Sequence, residues 1–451
     1  MGSCNSLGAR ESAGAAQMQD HPADTPARDP LTGLLTAESA EIVLARWQAS
    51  GSGNAQAMLI ALGELGALNT AFGRQVGDGV LKETARRIAL FADDEFAGCT
   101  ALLARIGGSG FLLAVQEDSS RERWQWLAEA LSDALALPFH DGGGAASIRL
   151  WPRVVLARAG AQEAPSALLD KLADGLAQPR AAGTARVLWV GGEHGSFGAG
   201  RRQLQTDLLS AIDRGQIDLA FQPQFGAADG RLVGAEALAR WNHPEAGLLG
   251  AATLFTLAER IDHVAQLSRY VIARALMDAA RWPGDLRLSV NVTATDLSAD
   301  SFAAELVQLA AAADFPLGRL TLEITEQSLL GDLAGTRKIL TALSAQGVQI
   351  ALDDFGAGFC NFSYLKLLPL DIIKLDRAMV DGITDDPRDL AVFRGIVAMA
   401  RALELAVVVE GVEHEAQREI VAAEGCAYFQ GFLAAPPLSR KAFEDLAANG
   451  A

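Results

Sequence analysis

The second half of the sequence predicts a (β/α)8 barrel of the TIM type, and three observations carry that prediction. From Gln203 onward, apolar runs of strand length alternate with longer stretches of helical spacing. The alternation continues for roughly 250 residues and about eight repeats, the size of such a barrel. Each run also ends on a polar residue, and a closed barrel gathers its strand ends on one face.

The runs are, in order, "IDLAFQPQ" (217–224), "RLVGAEALARW" (231–241), "LRLSVNVT" (286–293), "LTLEITE" (320–326), "VQIALDDF" (348–355), "IIKLD" (372–376), "LAVVVEGVE" (405–413) and "CAYFQGF" (426–432). Helices are expected over Ala251–Ala280, Ser301–Ala313, Gly335–Gln346, Asp389–Leu403 and Glu415–Glu424. All strands are expected to run parallel. The run-end residues are Gln222, Glu236, Asn291, Glu323, Asp353 with Asp354, Lys374, Glu410 and Gln430.

Five carboxylates on one rim repel one another, and burial adds to the penalty. Divalent cations remove it. Oxygen donors without His or Cys select Mg²⁺ or Mn²⁺ over zinc. Adjacent residues at a strand end point apart, so Asp353 and Asp354 can face different ions. Two ions then suit phosphoryl transfer, clamping the attacking and leaving oxygens. Lys374 lies among these acids, where it can orient or help deprotonate a water, or stabilise transition-state charge. Arg240 follows Glu236 by four residues and reads as an ion-pair partner or a phosphate contact. Trp241 and His243 read as packing residues, and Gly356 and Gly358 as turn formers.

At 451 residues, half of them apolar, the chain supports two or three domains. Residues 1–27 are small, polar and unpatterned and read as a flexible tail. "WVGGEHGSFGAGRR" marks a linker over 191–202, between a domain at 28–190 and the barrel at 203–451. Four cysteines without CxxC spacing exclude a zinc ribbon or disulfide framework and fit a reducing cytoplasm. A net charge of −17 opposes binding to a nucleic-acid polymer. No apolar run is long enough for a membrane span.

The motifs of the second half resemble the bacterial EAL-domain family of cyclic di-GMP (c-di-GMP) phosphodiesterases. "EALARWNHP" (236–244), "FQPQ" (221–224), "VNVT" (290–293), "EITE" (323–326), "DDFGAGF" (353–359), "IIKLD", "EGVE" (410–413) and "YFQGF" (428–432) carry the likeness, over roughly residues 203–446. The resemblance implies metal ligands at Glu236, Asn291, Glu323, Asp353, Asp354 and Glu410, with Lys374 on the nucleophilic water and Gln430 assisting. It implies substrate contacts from Gln222, Leu238, Arg240 and Asp376, and a bracing role for Glu326 beneath the loop that follows Asp354. Dimerisation through the barrel is a further implication. Phe359, Cys360 and Asn361 stand where the family commonly has a tyrosine and two serines.

Residues 28–190 resemble a GGDEF domain, an α+β nucleotidyl-cyclase-like fold, through "DPLTGLL" (29–35), "LNTAFGRQVGDGVL" (68–81) and "RIGGSGFLLAV" (105–115). Ser109 and Gly110 occupy the acidic signature positions, and Ala61 and Gly63 stand where strand aspartates belong. Cyclase activity is therefore expected to be absent. "CTAL" (99–102) replaces the inhibitory product site, and "DDEF" (93–96) is read as a chance likeness to the signature. Asn69 and Asp78 match guanine-holding positions, so GTP at a vestigial site is one expectation and a turn-stabilising role the other.

The preferred expectation is a c-di-GMP hydrolase releasing linear pGpG with two Mg²⁺ or Mn²⁺ ions, and poor turnover with Ca²⁺. The competing ones are a c-di-GMP receptor that does not hydrolyse, and a barrel acting on another phosphodiester.

Overall fold

The computed structural model describes residues 26–50, 55–63, 65–96, 99–116, 119–136, 139–140, 147–148, 150–160, 163–177, 187–190, 199–329, 332–356 and 364–449. Residues 1–25 of the tail read over 1–27, most of the linker, Gly358 and the departure at Phe359, Cys360 and Asn361 lie outside the described residues.

In the amino-terminal domain the strands β1 (Leu35–Thr36), β2 (Gln56–Leu62), β3 (Ala101–Ile106), β4 (Gly110–Val115), β5 (Pro152–Arg158) and β6 (Val187–Trp189) form one sheet in the order β1-β3-β4-β2-β5-β6. The helices are α1 (Ala37–Ser50), α2 (Leu65–Phe72), α3 (Arg74–Glu95), α4 (Arg121–Leu135) and α5 (Pro165–Ala177). Residues of β2 and β4 are buried on both faces, so these strands read as unbroken apolar runs. α4 begins where the Ser120 hydroxyl accepts the Arg123 N–H.

α6 (Ala199–Ala211) leads into the barrel and starts earlier than expected. The last four residues read as linker, 199–202, form its first turn.

The barrel strands are β7 (Ile217–Gly226), β8 (Leu232–His243), β9 (Arg287–Asn291), β10 (Leu320–Thr325), β11 (Gln349–Phe355), β12 (Ile372–Leu375), β13 (Ala406–Val409) and β14 (Tyr428–Phe429). They pair in that order, and β7 pairs with both β8 and β14 to close the cylinder. The expectation of an all-parallel barrel fails at one strand: β7 is antiparallel to both neighbours. The cause is length. A parallel crossover needs a dozen residues or more, whereas β7 and β8 are joined by a short turn with Gly230 at φ 65°.

Around the barrel run α7 (Ala251–Arg260), α8 (Val264–Ala279), α9 (Phe302–Ala312), α10 (Leu333–Ser344), α11 (Pro387–Ala402), α12 (Glu415–Ala423) and α13 (Arg440–Asn449). The single helix expected over 251–280 is two, broken at Asp262, whose φ of 59° is incompatible with helix continuation. Aspartates fix two other helix starts. Asp332 accepts the Ala334 and Gly335 N–H groups, and Asp386 accepts that of Arg388 beside Pro387.

The two domains are docked on one another. One apolar cluster runs from Phe96, Trp124 and Trp126 of the first domain into Leu249, Leu254 and Leu257 of the barrel. Burial without a break between domains marks an interface held by the hydrophobic effect.

Candidate active site

The barrel mouth is built by side-chain alternation. On β8, Glu236, Leu238 and Arg240 share a face at period two and climb toward the carboxy-terminal rim. Gln222 of β7 is in register with Glu236. Glu323 lies on β10, Asp353 on β11 and Lys374 on β12, while Glu410 and Gln430 follow β13 and β14 directly. Residues scattered over two hundred positions thereby share one site, as the strand-end pattern predicted.

Lys374 sits at its centre, 1% exposed. Its Nζ lies 2.6 Å from Glu323 Oε2, 2.8 Å from Glu410 Oε1, and 3.2 Å from both Glu236 Oε2 and Asp353 Oδ1. Gln430 Nε2 donates to Glu236 Oε2 (3.0 Å) and Glu410 Oε1 (2.8 Å), and its own carbonyl accepts from Gln224 Nε2 at 3.1 Å. Asn291 Nδ2 donates to Glu236 Oε1 at 2.7 Å.

Four carboxylates around one ammonium leave the site short of positive charge, and the titration directions reflect it. Burial pushes Glu323 well above the usual carboxylate range, and Glu236 adds repulsion that Lys374 offsets only in part. Glu410 is raised well above that range in the same way, by burial and then by Asp353 and Glu236. Asp353 is pushed up to about 6 by burial, with Asp354 and Glu236 adding to it. Glu236 goes the other way. Burial opposes its charge, but the Lys374 charge and hydrogen bonds from Gln430, Asn291 and Lys374 hold it low. Lys374 is held protonated far above its ordinary value, because its four carboxylates outweigh the burial that would lower it.

Asp354 departs from the converging set. A register shift between β11 and β12 and a φ of 58° at Asp354 turn its carboxylate out of the barrel. It pairs there with Arg86 of α3, at 3.0 Å. Gly356 has φ 97° and makes the expected turn. Asp376 is buried and caps the short helix Arg377–Met379, its Oδ1 accepting the Ala378 N–H at 2.8 Å. Burial, then repulsion from Asp354, raises its pKa. Glu326 opens the 3-10 turn after β10, but the loop it was expected to brace lies outside the described residues.

Arg240 is 5% exposed, and its Nη1 lies 2.6 Å from Asp94 Oδ1 of α3. Trp241 and His243 are packed edge to face with ring centroids 4.9 Å apart, as expected of packing residues. The residues sequence reasoning passed over are Asp93, Asp94 and Glu95. Set aside as a chance likeness, they form the last turn of α3 at the rim of the barrel. Their signal was present: three consecutive acids close a long amphipathic helix without a basic residue in its last turn, unfavourable for the helix dipole unless a partner supplies cations.

In the amino-terminal domain, Ala61 pairs with Gly110 across β2 and β4, and the Leu62 N–H bonds to the Ser109 carbonyl. The signature hairpin therefore keeps its place, while Ala61, Gly63, Ser109 and Gly110 bring no carboxylate to it. Asn69 of α2 lies against Gly77 of α3, its Oδ1 buried without a hydrogen-bond partner, and Asp78 is exposed on α3.

Fold and site together define a closed α/β barrel with an oxygen-donor cluster at its mouth, preceded by an α+β domain. The chain belongs to the EAL-domain family: the EAL domain matches residues 205–437, and the diguanylate cyclase GGDEF domain matches residues 27–186. An uncharacterized protein of Mycobacterium tuberculosis is 32% identical over 424 residues, covering 93% of this chain and 67% of that protein. The bifunctional diguanylate cyclase/cyclic di-GMP phosphodiesterase MucR of Pseudomonas aeruginosa is 31% identical over 380 residues, covering 82% of this chain and 54% of MucR. The structure of the PaMucR phosphodiesterase in complex with c-di-GMP is similar at 35% identity and TM-score 0.51, over 53% of this chain and 99% of that one. The S helix-GGDEF-EAL structure of Vibrio cholerae LapD, 18% identical with TM-score 0.52, shares the fold over 90% of this chain and 95% of that one.

Among the described residues, no helix is long and apolar enough to cross a membrane.

Proposed function

We propose that the chain hydrolyses c-di-GMP to linear pGpG at the barrel mouth. The observation that carries the reading is the Lys374 cluster, four carboxylates from four strand ends on one ammonium. Among the described residues no three acidic, histidine or cysteine side chains are grouped as a ready-made metal site, and Lys374 holds the centre of the four carboxylates. The donor chemistry nevertheless fits hard cations. Every ligand is an oxygen, and the excess negative charge drives Glu323, Glu410 and Asp353 toward protonation unless cations are added. Glu236, Asn291, Glu323, Asp353, Asp354 and Glu410 would hold two Mg²⁺ or Mn²⁺ ions. When bound, such ions acidify a coordinated water and neutralise charge on phosphoryl oxygens.

The chain's own groups do the rest. A water oxygen bonds to one phosphorus as the P–O3′ bond breaks, and the proton that this water gives up balances the one that the leaving O3′ alkoxide takes up. Lys374, held protonated, orients that water and donates to developing negative charge. Gln430 fixes Glu236 and Glu410 by donating to both. Arg240 meets a substrate phosphate, and Gln222, Leu238 and Asp376 line the bound dinucleotide. The relatives support this reading, because MucR is named a cyclic di-GMP phosphodiesterase and its phosphodiesterase structure holds c-di-GMP.

Incubation with c-di-GMP and Mn²⁺, followed by chromatography, tests it. pGpG is expected. Bound but uncut c-di-GMP assigns the chain to receptors, and neither binding nor product points to another phosphodiester. In this reading the amino-terminal domain makes no c-di-GMP and the barrel dimerises, while Asn69 and Asp78 either hold GTP or stabilise a turn. Light scattering tests the dimer, and calorimetry without heat at millimolar GTP removes the nucleotide.

A further inference from the structure

We propose that the end of α3 is a built-in competitor for the barrel's site, with Asp94 standing where a substrate phosphate would bind on Arg240 and Arg86 standing where a divalent cation would meet Asp354. The proposal rests on the reading above and adds its regulation.

Asp94 is bound as an oxyanion ligand would be. One oxygen takes Arg240 Nη1 at 2.6 Å, and the other accepts the Ala252 N–H at 2.7 Å, in the first turn of α7. Glu95 beside it accepts the Gly250 N–H at 2.9 Å. A cation together with N–H groups that have no intrahelical partner at a helix start is an anion site. The site has room in its chemistry for more than a carboxylate: Arg240 Nη2 is buried and has no hydrogen-bond partner. A phosphate brings more acceptor oxygens than Asp94 does and can engage both guanidinium nitrogens.

Arg86 makes the inverse substitution. Its guanidinium is held on α3 by Glu83, with Nε donating to Oε2 at 2.9 Å, and its Nη1 lies 3.0 Å from Asp354 Oδ2 as an ion pair. A positive group thus neutralises the acid expected to take a metal ion, while a negative group neutralises the cation expected to take the substrate. Asp93, 3.9 Å from Arg377, extends the contact along the rim. At the base of the interface, Arg123 Nη1 donates to the Ala246 and Leu248 carbonyls, and Trp126 packs on His243 with ring centroids 5.8 Å apart. The domain therefore stays docked by its apolar base while its charged tip covers the mouth. Substrate and metal must displace that tip.

The test uses the full chain with the near-isosteric Asp94→Asn and, separately, Arg86→Gln, which shortens the side chain and removes its charge; both lie outside the catalytic set. With Ca²⁺ in place of Mg²⁺ to slow turnover, calorimetry should give Asp94→Asn a Kd for c-di-GMP about tenfold below that of the unaltered chain. Turnover with Mn²⁺ should show the same fall in KM with kcat unchanged. Arg86→Gln should bind Mn²⁺ several-fold more tightly, read from the electron paramagnetic resonance of free Mn²⁺. Equal affinities in both comparisons overturn the proposal. Should no form bind c-di-GMP, the substrate reading falls while the competitor is still decided by amide exchange. Faster exchange at Ala252 in an Asp94→Ala chain, which removes the acceptor of that N–H, supports the tip contact, and unchanged exchange overturns it.

Discussion

At the barrel mouth four carboxylates converge on Lys374, whereas the matching strand ends of the amino-terminal domain carry Ala61, Gly63, Ser109 and Gly110. Both sheets are equally well built. β2 and β4 pair residue for residue, and their side chains are as buried as those of the barrel strands. Carboxylates at strand ends thus contribute nothing the fold requires and, uncompensated, work against it. Where they converge, the fold itself gives no reason for them; where the strand ends carry none, the sheet forms all the same. The first domain has kept its acids elsewhere, at the tip of α3, where the barrel's cations meet them.

The sharpest way to break this contrast is to remove one acid from the kept site. Glu236→Ala and Asp353→Ala should each lower c-di-GMP turnover at least about a thousandfold, roughly 4 kcal/mol of transition-state stabilisation. Normal turnover in either variant would remove the barrel's claim to be the working site. Lys374→Met attacks the same cluster from the other side. It leaves four buried carboxylates without their shared cation, so the metal-free chain should lose about 3–5 kcal/mol in urea unfolding, largely recovered with Mn²⁺.

A subtler effect follows from the titration of the cluster. Asp353 in the folded chain is raised to about 6 from its ordinary 3.8, so the metal-free fold binds that proton more tightly than the unfolded chain does. The stability this contributes is full below the ordinary value and is lost as pH rises through about 6. Glu323 and Glu410, raised well above their ordinary 4.5, carry the loss further upward. Glu236 is lowered, so its contribution fades only in acid, below that window. With EDTA, Tm should therefore fall as pH rises from about 4 through about 6 and above, and Mn²⁺ should reverse the slope because it binds the deprotonated ligands. A flat EDTA profile would show that Lys374 alone balances the cluster.

Much of this was legible before any coordinates. The alternation from Gln203 onward gave the barrel, and the polar residue closing each run gave the Lys374 cluster, because strand direction and period two decide which side chains share a face. Three features were not legible in that way. The antiparallel β7 hides behind the same apolar pattern as a parallel strand, although its short link to β8 was a clue. The break at Asp262 is a single backbone conformation inside a continuous apolar period. The partners of Arg240 and Asp354 lie more than a hundred residues away on another domain, and no local pattern encodes how two domains dock. "DDEF" does not match a catalytic signature, and nothing local to it shows that Asp94 meets Arg240 of the barrel.

The smallest effect bears on the stripped site, and asks whether its loss can be undone by one substitution. Gly110 is paired with both Ile106 and Ala61, and a Cβ placed on it would lie 2.5 Å from the Ile106 carbonyl oxygen. That oxygen belongs to the backbone of β3 and cannot swing aside as a side-chain tip can. Gly110→Glu should therefore destabilise the hairpin by about 1–3 kcal/mol, as overpacking does, and generate no c-di-GMP from GTP. Ser109→Glu, at the half-buried turn beside it, should cost less stability than Gly110→Glu and be equally inert, since Ala61 and Gly63 still provide no second carboxylate for a cation. Synthesis of c-di-GMP by either variant would mean that the first domain had retained most of its chemistry, and that the contrast between the domains is one residue deep.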